Sequence, residues 1–215
     1  MMTLIIGGSG SGKSAYAESC MTGLPSGAPA GEPGEIRKYY IATMQVYDEE
    51  GRARIARHRQ MRRGKGLITI EQPVSVCDAL KKMEPQSAII GAHTAGNTGV
   101  EFEGDAVREA VTAGKKAALL ECMSNLVANE MFSGEIPKSC GQVAEKILGD
   151  VKLLNEGLAH LVIVTNNVAE DGICYEDTTM EYIRALGMVN ERLAAVADKV
   201  VEVVVGIPCV ISDCG

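Results

Sequence analysis

Short apolar runs alternate with longer segments of mixed polarity along the chain. The runs rich in Val, Ile, Leu and Ala predict β-strands at residues 3–6, 38–43, 67–71, 86–91, 116–121, 161–165 and 199–205. The mixed segments predict helices from residue 15 onward, directly after residue 121, and at residues 48–61, 74–83, 105–112, 141–158 and 177–197. Strands that alternate with helices are typical of an α/β protein with a doubly wound, mostly parallel sheet. With no internal repeat, residues 1–215 are expected to form a single domain.

One stretch near the start interrupts this alternation. Residues 22–35 carry Gly or Pro at almost every second position, which predicts a long surface loop over about residues 21–37. The loop separates the first helix from the second predicted strand. The end of that strand, Ala42 and Thr43, is expected at the carboxyl edge of the sheet, where open parallel sheets bind ligands.

Composition narrows the class of protein. Apolar residues make up 46% of the chain, and with no Trp and two Phe the core must consist mainly of aliphatic side chains. The formal net charge of −7 argues against a general nucleic-acid binder, which usually presents a basic face. We see no membrane-spanning run and no signal peptide, and the seven cysteines form no C-x-x-C pair. The expected location is therefore a reducing cytoplasm.

A glycine-rich loop directly after the first strand carries the clearest chemistry. The pattern G-x-x-x-x-G-K-S between a strand and a helix is the phosphate-binding P-loop. Its glycines let backbone N–H groups surround an anion, and the helix N-terminus adds unpaired donors. The candidate nucleotide-binding residues are Gly7, Gly8, Ser9, Gly10, Ser11, Gly12, Lys13 and Ser14.

Two of these residues have distinct predicted roles. Lys13 is expected to reach the β- and γ-phosphates of ATP or GTP, and the Ser14 hydroxyl to bind Mg²⁺. The alternative, a flexible Gly/Ser turn, explains neither the Lys-Ser pair nor the apolar strand before it.

The predicted helix at residues 48–61 begins with acids and continues with arginines. Arg54, His58 and Arg62 are four residues apart and share one face. A solvated charged face is one interpretation. The other is a polyphosphate site in which the imidazole of His58 attacks phosphorus as a nucleophile. The spacing alone leaves both open.

The predicted strand 116–121 ends in Glu121. In P-loop proteins, an acid at the end of a buried apolar strand commonly helps to hold the metal, which makes Glu121 a candidate; the alternative is an ordinary strand-terminal acid. In the helix that follows, Ser124 is the candidate N-cap, and Asn125 and Asn129 are predicted to share a face.

These motifs occur together, and in the same order, in one known family. They are the P-loop, the strand segment 40–43, the segment 53–58 with His58, residues 119–122 with Asn125 and Asn129, and the segments 164–166, 187–198 and 206–208. The chain resembles a divergent member of the bifunctional adenosylcobinamide kinase / adenosylcobinamide-phosphate guanylyltransferase family of cobalamin biosynthesis. The P-loop is shared by many enzymes, whereas the His58 helix and the segment 190–198 are more specific.

The resemblance implies two reactions on a corrinoid substrate. The enzyme would phosphorylate adenosylcobinamide with a nucleoside triphosphate, and then transfer GMP from GTP through a covalent intermediate on His58. It implies a recombinase-like fold and a homotrimer whose sites lie near subunit boundaries. It also implies that Glu71 and Glu121 bind GTP through guanine, which for Glu121 competes with the metal role. The remaining implied nucleotide contacts are Ile41, Ala42, Thr43, Arg59, Gln60, Met61 and Arg62.

Several positions depart from the family pattern. Gly10 stands where the family usually has Arg, Asn167 replaces the usual acid after Asn166, and Ala169 replaces a Gly. Residues 84–115 are expected to be an insertion, and the run 181–185 also differs. Two further hypotheses remain: a P-loop kinase or nucleotidyltransferase for another small molecule, and a nucleotide-binding ATPase or regulator.

Overall fold

A computed structural model describes residues 1–24, 36–45, 64–83, 115–168, 172–173 and 175–214. The strands are β1 (Met2–Ile6), β2 (Arg37–Ala42), β3 (Ile68–Glu71), β4 (Lys116–Glu121), β5 (His160–Val164), β6 (Lys199–Val204) and β7 (Ile207–Asp213). The helices are α1 (Lys13–Gly23), α2 (Ala79–Lys82), α3 (Met123–Met131), α4 (Cys140–Glu156) and α5 (Asp177–Val196). A 3₁₀ turn, Val76–Asp78, precedes α2.

All seven strands form one sheet in the order β3-β2-β4-β5-β1-β6-β7. Every neighbouring pair is parallel except β6 and β7, which are antiparallel. The prediction of a mostly parallel α/β sheet is therefore confirmed. Because β1 lies between β5 and β6, the loop that follows it emerges in the interior of the carboxyl edge.

Side chains alternate between two apolar cores, one on each face of the sheet. On β1, Leu4 faces a larger core that also receives residues of α2, α3, α4 and α5. The next residue, Ile5, faces a smaller core that receives Ala17 and Met21 of α1. This alternation follows from the two-residue period of a strand and places helices on both faces.

The strands predicted at residues 3–6, 38–43, 67–71, 116–121 and 161–165 agree with the structure to within a residue or two. The predicted helix 74–83 is wrong in its first part. Ser75 has a left-handed φ of 48°, and the Gln72 side-chain amide donates a hydrogen bond to the Val74 carbonyl. The chain therefore makes a turn here, and helical structure begins only at Val76. Ser124 is also not the N-cap of α3, because the helix begins at Met123 with Cys122 in the cap position.

The sequence prediction missed β7 altogether. Val205 and Gly206 have φ values of 49° and 83°, which form the two-residue turn that matches the twist of a β-hairpin. After this turn the chain runs back along β6 and pairs with it in the antiparallel direction as β7.

Other predictions fall outside the described residues. They are the helix 48–61 with His58, the strand 86–91 and the helix 105–112. None of the helices in the described ranges is both long and apolar enough to cross a membrane.

The hairpin turn gives a stability prediction. A β-branched residue is disfavoured at positive φ, whereas Asn-Gly is the preferred pair for this turn. Val205→Asn should therefore raise the free energy of unfolding by about 1 kcal/mol, measured by urea denaturation. Val210→Asn, the same change at an exposed site within β7, should give no gain. Equal effects of the two variants would contradict the strained turn.

Candidate functional site

The glycine loop joins β1 to α1 in a tight turn. Gly10 and Gly12 have φ values of 72° and 91°, which side chains other than glycine rarely adopt. A Cβ on Gly7 would lie 2.6 Å from the carbonyl oxygen of Val203 in β6. The loop backbone is therefore packed against β6 at Gly7 and takes a left-handed conformation at Gly10 and Gly12.

The β6–β7 hairpin supports the other side of the loop. The Gly206 N–H donates to the Ser11 carbonyl at 2.7 Å, and a Cβ on Gly12 would lie 3.2 Å from the Gly206 Cα. The Asn167 N–H, after β5, donates to the Gly7 carbonyl at 3.3 Å. The segments that follow β5 and β6, the two strands on either side of β1, thus hold the loop in place.

Lys13, the first residue of α1, is 8% exposed. Its Nζ donates to the Gly8 carbonyl at 2.9 Å, which folds the ammonium back over the loop. Burial lowers the pKa of Lys13, while the nearby Cys122 and Glu121 act in the opposite direction. An anion placed against this loop would find a largely desolvated cation.

Glu121, the last residue of β4, lies beside the loop on the face that carries α1. Its Oε1 accepts a hydrogen bond from the Ser14 hydroxyl at 2.5 Å, and its Oε2 accepts one from the Tyr40 hydroxyl at 3.0 Å. The carboxylate therefore joins the first turn of α1 to β2 as well as β4.

The Ser14 and Glu121 oxygens fit a magnesium ion. Hydroxyl and carboxylate oxygens are hard ligands, and Mg²⁺ is usually held by one or two carboxylates together with substrate phosphates and water. Among the described residues, no group of three His, Cys, Asp or Glu side chains could hold a metal alone. A metal at this place would need further oxygen ligands, from water or a bound phosphate, to complete its coordination.

A network of buried polar groups joins the ends of three strands. Thr43 Oγ1 accepts from the Cys122 N–H at 2.9 Å, linking the segments after β2 and β4. The Asn129 amide of α3 donates to the Thr43 carbonyl at 2.7 Å and to the Pro73 carbonyl at 2.9 Å. Because Pro73 follows β3, Asn129 fixes the spacing between the segments after β2 and β3.

A second network follows β5. The Asn166 amide donates to the Ser124 hydroxyl at 2.7 Å, and the Thr165 hydroxyl donates to the Asn190 side-chain oxygen at 2.7 Å. Asn190 also donates to the Asn166 carbonyl at 3.3 Å. This network joins β5 to α3 and α5 beside the glycine loop.

The structure brings together Lys13, Ser14 and Glu121 among the predicted site residues. Glu71 is in register with Ala42, which is in register with Glu121, so the two acids end strands on either side of β2. With strands about 4.8 Å apart, their Cα atoms are roughly 10 Å apart.

The other predicted site residues have different surroundings. The side chains of Ile41 and Thr43 are completely buried, whereas Ala42 is partly exposed. Of that segment, Ala42 is therefore the residue best placed to contact a ligand. Outside the described ranges lie His58, Arg59, Gln60, Met61 and Arg62.

Two side chains near the site were not predicted from the sequence. They are Tyr40, whose hydroxyl contacts Glu121, and Asn166, whose amide contacts Ser124. The signal for Asn166 is its place just after an apolar strand, at the carboxyl edge where parallel sheets bind ligands. For Tyr40 no comparable signal exists, because strand periodicity gives the face of a side chain and not the partner of its hydroxyl.

Comparison with known proteins places the chain in a family. The sequence model of the family cobinamide kinase / cobinamide phosphate guanyltransferase matches residues 3–95 and 99–211 of the chain. The chain belongs to this family. The match includes most of residues 84–115, the segment that the sequence analysis expected to be an insertion.

Curated members of the family resemble the chain over nearly its full length. It is 31% identical to the bifunctional adenosylcobalamin biosynthesis protein CobU of Salmonella typhimurium, over 96% of this chain and 97% of that protein. With the protein of the same name in Escherichia coli, the identity is 29% over the same shares. The bifunctional adenosylcobalamin biosynthesis protein CobP of Pseudomonas aeruginosa is 30% identical over 74% of this chain and 87% of that protein.

The contact between Gly7 and β6 gives a prediction for the loop. Gly7→Ala places a methyl group against a backbone oxygen and should lower the free energy of unfolding by about 1–3 kcal/mol. Gly8→Ala is the matched control, because a Cβ there has no neighbour within 4 Å. Urea denaturation of both variants checks this. A loss at Gly8 as large as that at Gly7 would contradict the described packing.

Proposed function

We propose that the chain carries out both reactions named for its family, on adenosylcobinamide. It phosphorylates the aminopropanol hydroxyl with ATP or GTP, and it transfers GMP from GTP to the resulting phosphate. The observation that carries this proposal is the cluster of Lys13, Ser14 and Glu121 at the mouth of the glycine loop. Family membership supplies the substrate class.

In the kinase reaction, the glycine loop holds the triphosphate. The Lys13 ammonium exchanges its contact with the Gly8 carbonyl for phosphate oxygens, which offsets the desolvation of this buried cation. Ser14 and Glu121 would hold Mg²⁺, which when bound would neutralise charge on the phosphates. The substrate hydroxyl attacks the γ-phosphorus and releases its proton to solvent, the bond to the β-phosphate oxygen breaks, and the nucleoside diphosphate leaves.

In the second reaction, His58 is the nucleophile. Its imidazole attacks the α-phosphorus of GTP, pyrophosphate leaves, and a phosphoramidate forms. A phosphate oxygen of the cobinamide phosphate then attacks the same phosphorus and releases the imidazole. We assign Arg59, Gln60, Met61 and Arg62 to contacts with the nucleotide during this step.

We assign the two acids different tasks. The contact of Glu121 with Ser14 supports the metal role for Glu121. Glu71, which ends a strand on the far side of β2, is left to accept hydrogen bonds from the guanine N1–H and amino group. Ala42 lies between them in the sheet and contacts the nucleotide through its exposed part. The buried residues on either side of it in the chain, Ile41 and Thr43, support it.

We also propose the wider setting that the resemblance implies. The chain forms one recombinase-like P-loop domain, assembles as a homotrimer with sites near subunit boundaries, and acts in the cytoplasm. The six cysteines in the described part of the chain are free thiols, which agrees with a reducing compartment.

The first test separates the role of Lys13 from its burial. Lys13→Met should weaken binding of Mg²⁺–GTP by about a hundredfold or more, measured by calorimetry, because the phosphates lose a desolvated cation. Lys38→Met is the matched control: Lys38 is 7% exposed, and its Nζ donates to the Leu24 carbonyl after α1. This variant should lose stability but keep its nucleotide affinity. Unchanged binding in Lys13→Met would rule out the glycine loop as the triphosphate site.

The second test identifies the nucleophile. GTP labelled on the α-phosphate should leave an acid-labile label on the protein, because a phosphoramidate forms. The chain has three histidines, so single replacements of His58, His93 and His160 cover every imidazole. His58→Ala should lose the label and still phosphorylate cobinamide, whereas the other two variants keep it. A label that survives in His58→Ala, or one that comes only from the γ-phosphate, would overturn the assignment.

A further inference from the structure

Two adjacent tyrosines of β2 bury their rings on opposite faces of the sheet. Tyr39 and Tyr40 are each 4% exposed. The Tyr39 hydroxyl donates to the Met83 carbonyl at 3.2 Å in the larger core. The Tyr40 hydroxyl donates to Glu121 Oε2 at 3.0 Å on the face that carries α1. One residue therefore contacts the candidate site, and its neighbour supplies a control of nearly identical burial.

The sheet register explains why Tyr40 meets Glu121. Ala42 is paired with Glu121, and Tyr40 is paired with Leu119, one pleat earlier on both strands. Residues two apart on a strand share a face, so Tyr40 lies beneath the carboxylate. Its ring packs in the core with Leu119 and Val162, which prevents the hydroxyl from swinging away.

The two oxygens of the carboxylate have different partners. Oε2 is held from below by Tyr40, and Oε1 faces the Ser14 hydroxyl. A carboxylate at a strand end otherwise rotates freely about its last bond, since that torsion has only broad minima. Two hydrogen bonds to different oxygens fix its plane.

We propose that Tyr40 is a positioning residue that sets the metal affinity of the site by fixing the orientation of Glu121. With Oε2 held, Oε1 stays directed to the place where Ser14 and a metal-bound triphosphate meet. In this role Tyr40 acts through its hydrogen bond to Glu121. This inference rests on the proposed triphosphate site.

The test uses Mn²⁺ as a probe and a non-hydrolysable GTP analogue, so that binding is read without turnover. Free Mn²⁺ is measured by electron paramagnetic resonance for the wild-type chain, Tyr40→Phe and Tyr39→Phe, each saturated with the analogue. Tyr40→Phe should bind Mn²⁺ about tenfold more weakly, since loss of a group that orients a metal ligand commonly costs that much. Tyr39→Phe should match the wild type, although it too loses the hydrogen bond of a buried hydroxyl.

Turnover gives a second readout. In Tyr40→Phe, the Mg²⁺ concentration for half-maximal phosphoryl transfer should rise about tenfold, and saturating Mg²⁺ should restore the rate to within about twofold. A loss of rate that Mg²⁺ does not restore would overturn the proposal. So would Tyr40→Phe failing to fold where Tyr39→Phe folds, because the hydroxyl would then serve the fold.

A double-mutant cycle tests the path through Glu121. In the Glu121→Gln background, adding Tyr40→Phe should leave Mn²⁺ affinity unchanged. A tenfold loss in both backgrounds would show independent action and overturn the inference.

The wild-type chain separates this inference from the proposed function. If the wild-type chain binds neither the analogue nor Mn²⁺, the proposed function fails and the inference fails with it. If the wild-type chain binds both and Tyr40→Phe binds Mn²⁺ as tightly, only the role of Tyr40 is rejected.

Discussion

The organisation of the site depends on one carboxylate that must find partners where an apolar sheet ends. Four residues of β4 before Glu121 are completely buried, so its charge stands at the boundary of a hydrophobic interior. A charge in that place is costly unless it accepts hydrogen bonds. Ser14 and Tyr40 supply them, and in doing so they bind the first turn of α1 and the strand β2 to the end of β4.

Four other buried polar residues at the carboxyl edge meet the same requirement. Thr43, Ser124, Asn129 and Thr165 are buried polar residues, and each takes part in a hydrogen bond that crosses from one element to another. Buried polar networks that are fully satisfied make a structure rigid as well as stable. The apolar cores therefore stabilise the sheet itself, whereas the polar network fixes the positions of its strand ends.

Much of the architecture followed from the pattern of residues, because strand period and glycine-loop chemistry are local. The loop, β4 and the position of Glu121 belong to that part. The turn at Val205 did not, because valine is atypical at positive φ and the sequence therefore gives no turn signal at that residue. The pairing of Tyr40 with Glu121 needed the register of two strands that are distant in sequence. His58 lies outside the described residues, so its role remains a prediction from sequence.

The hairpin of β6 and β7 has a consequence for how the chain tolerates change at its far end. Gly206 contacts Ser11, so residues nearly two hundred positions apart jointly determine the shape of the glycine loop. Removal of β7 would leave the loop sequence intact but without the support of the turn at Gly206. Engineering of this chain therefore has to treat the β6–β7 hairpin as part of the support of the glycine loop.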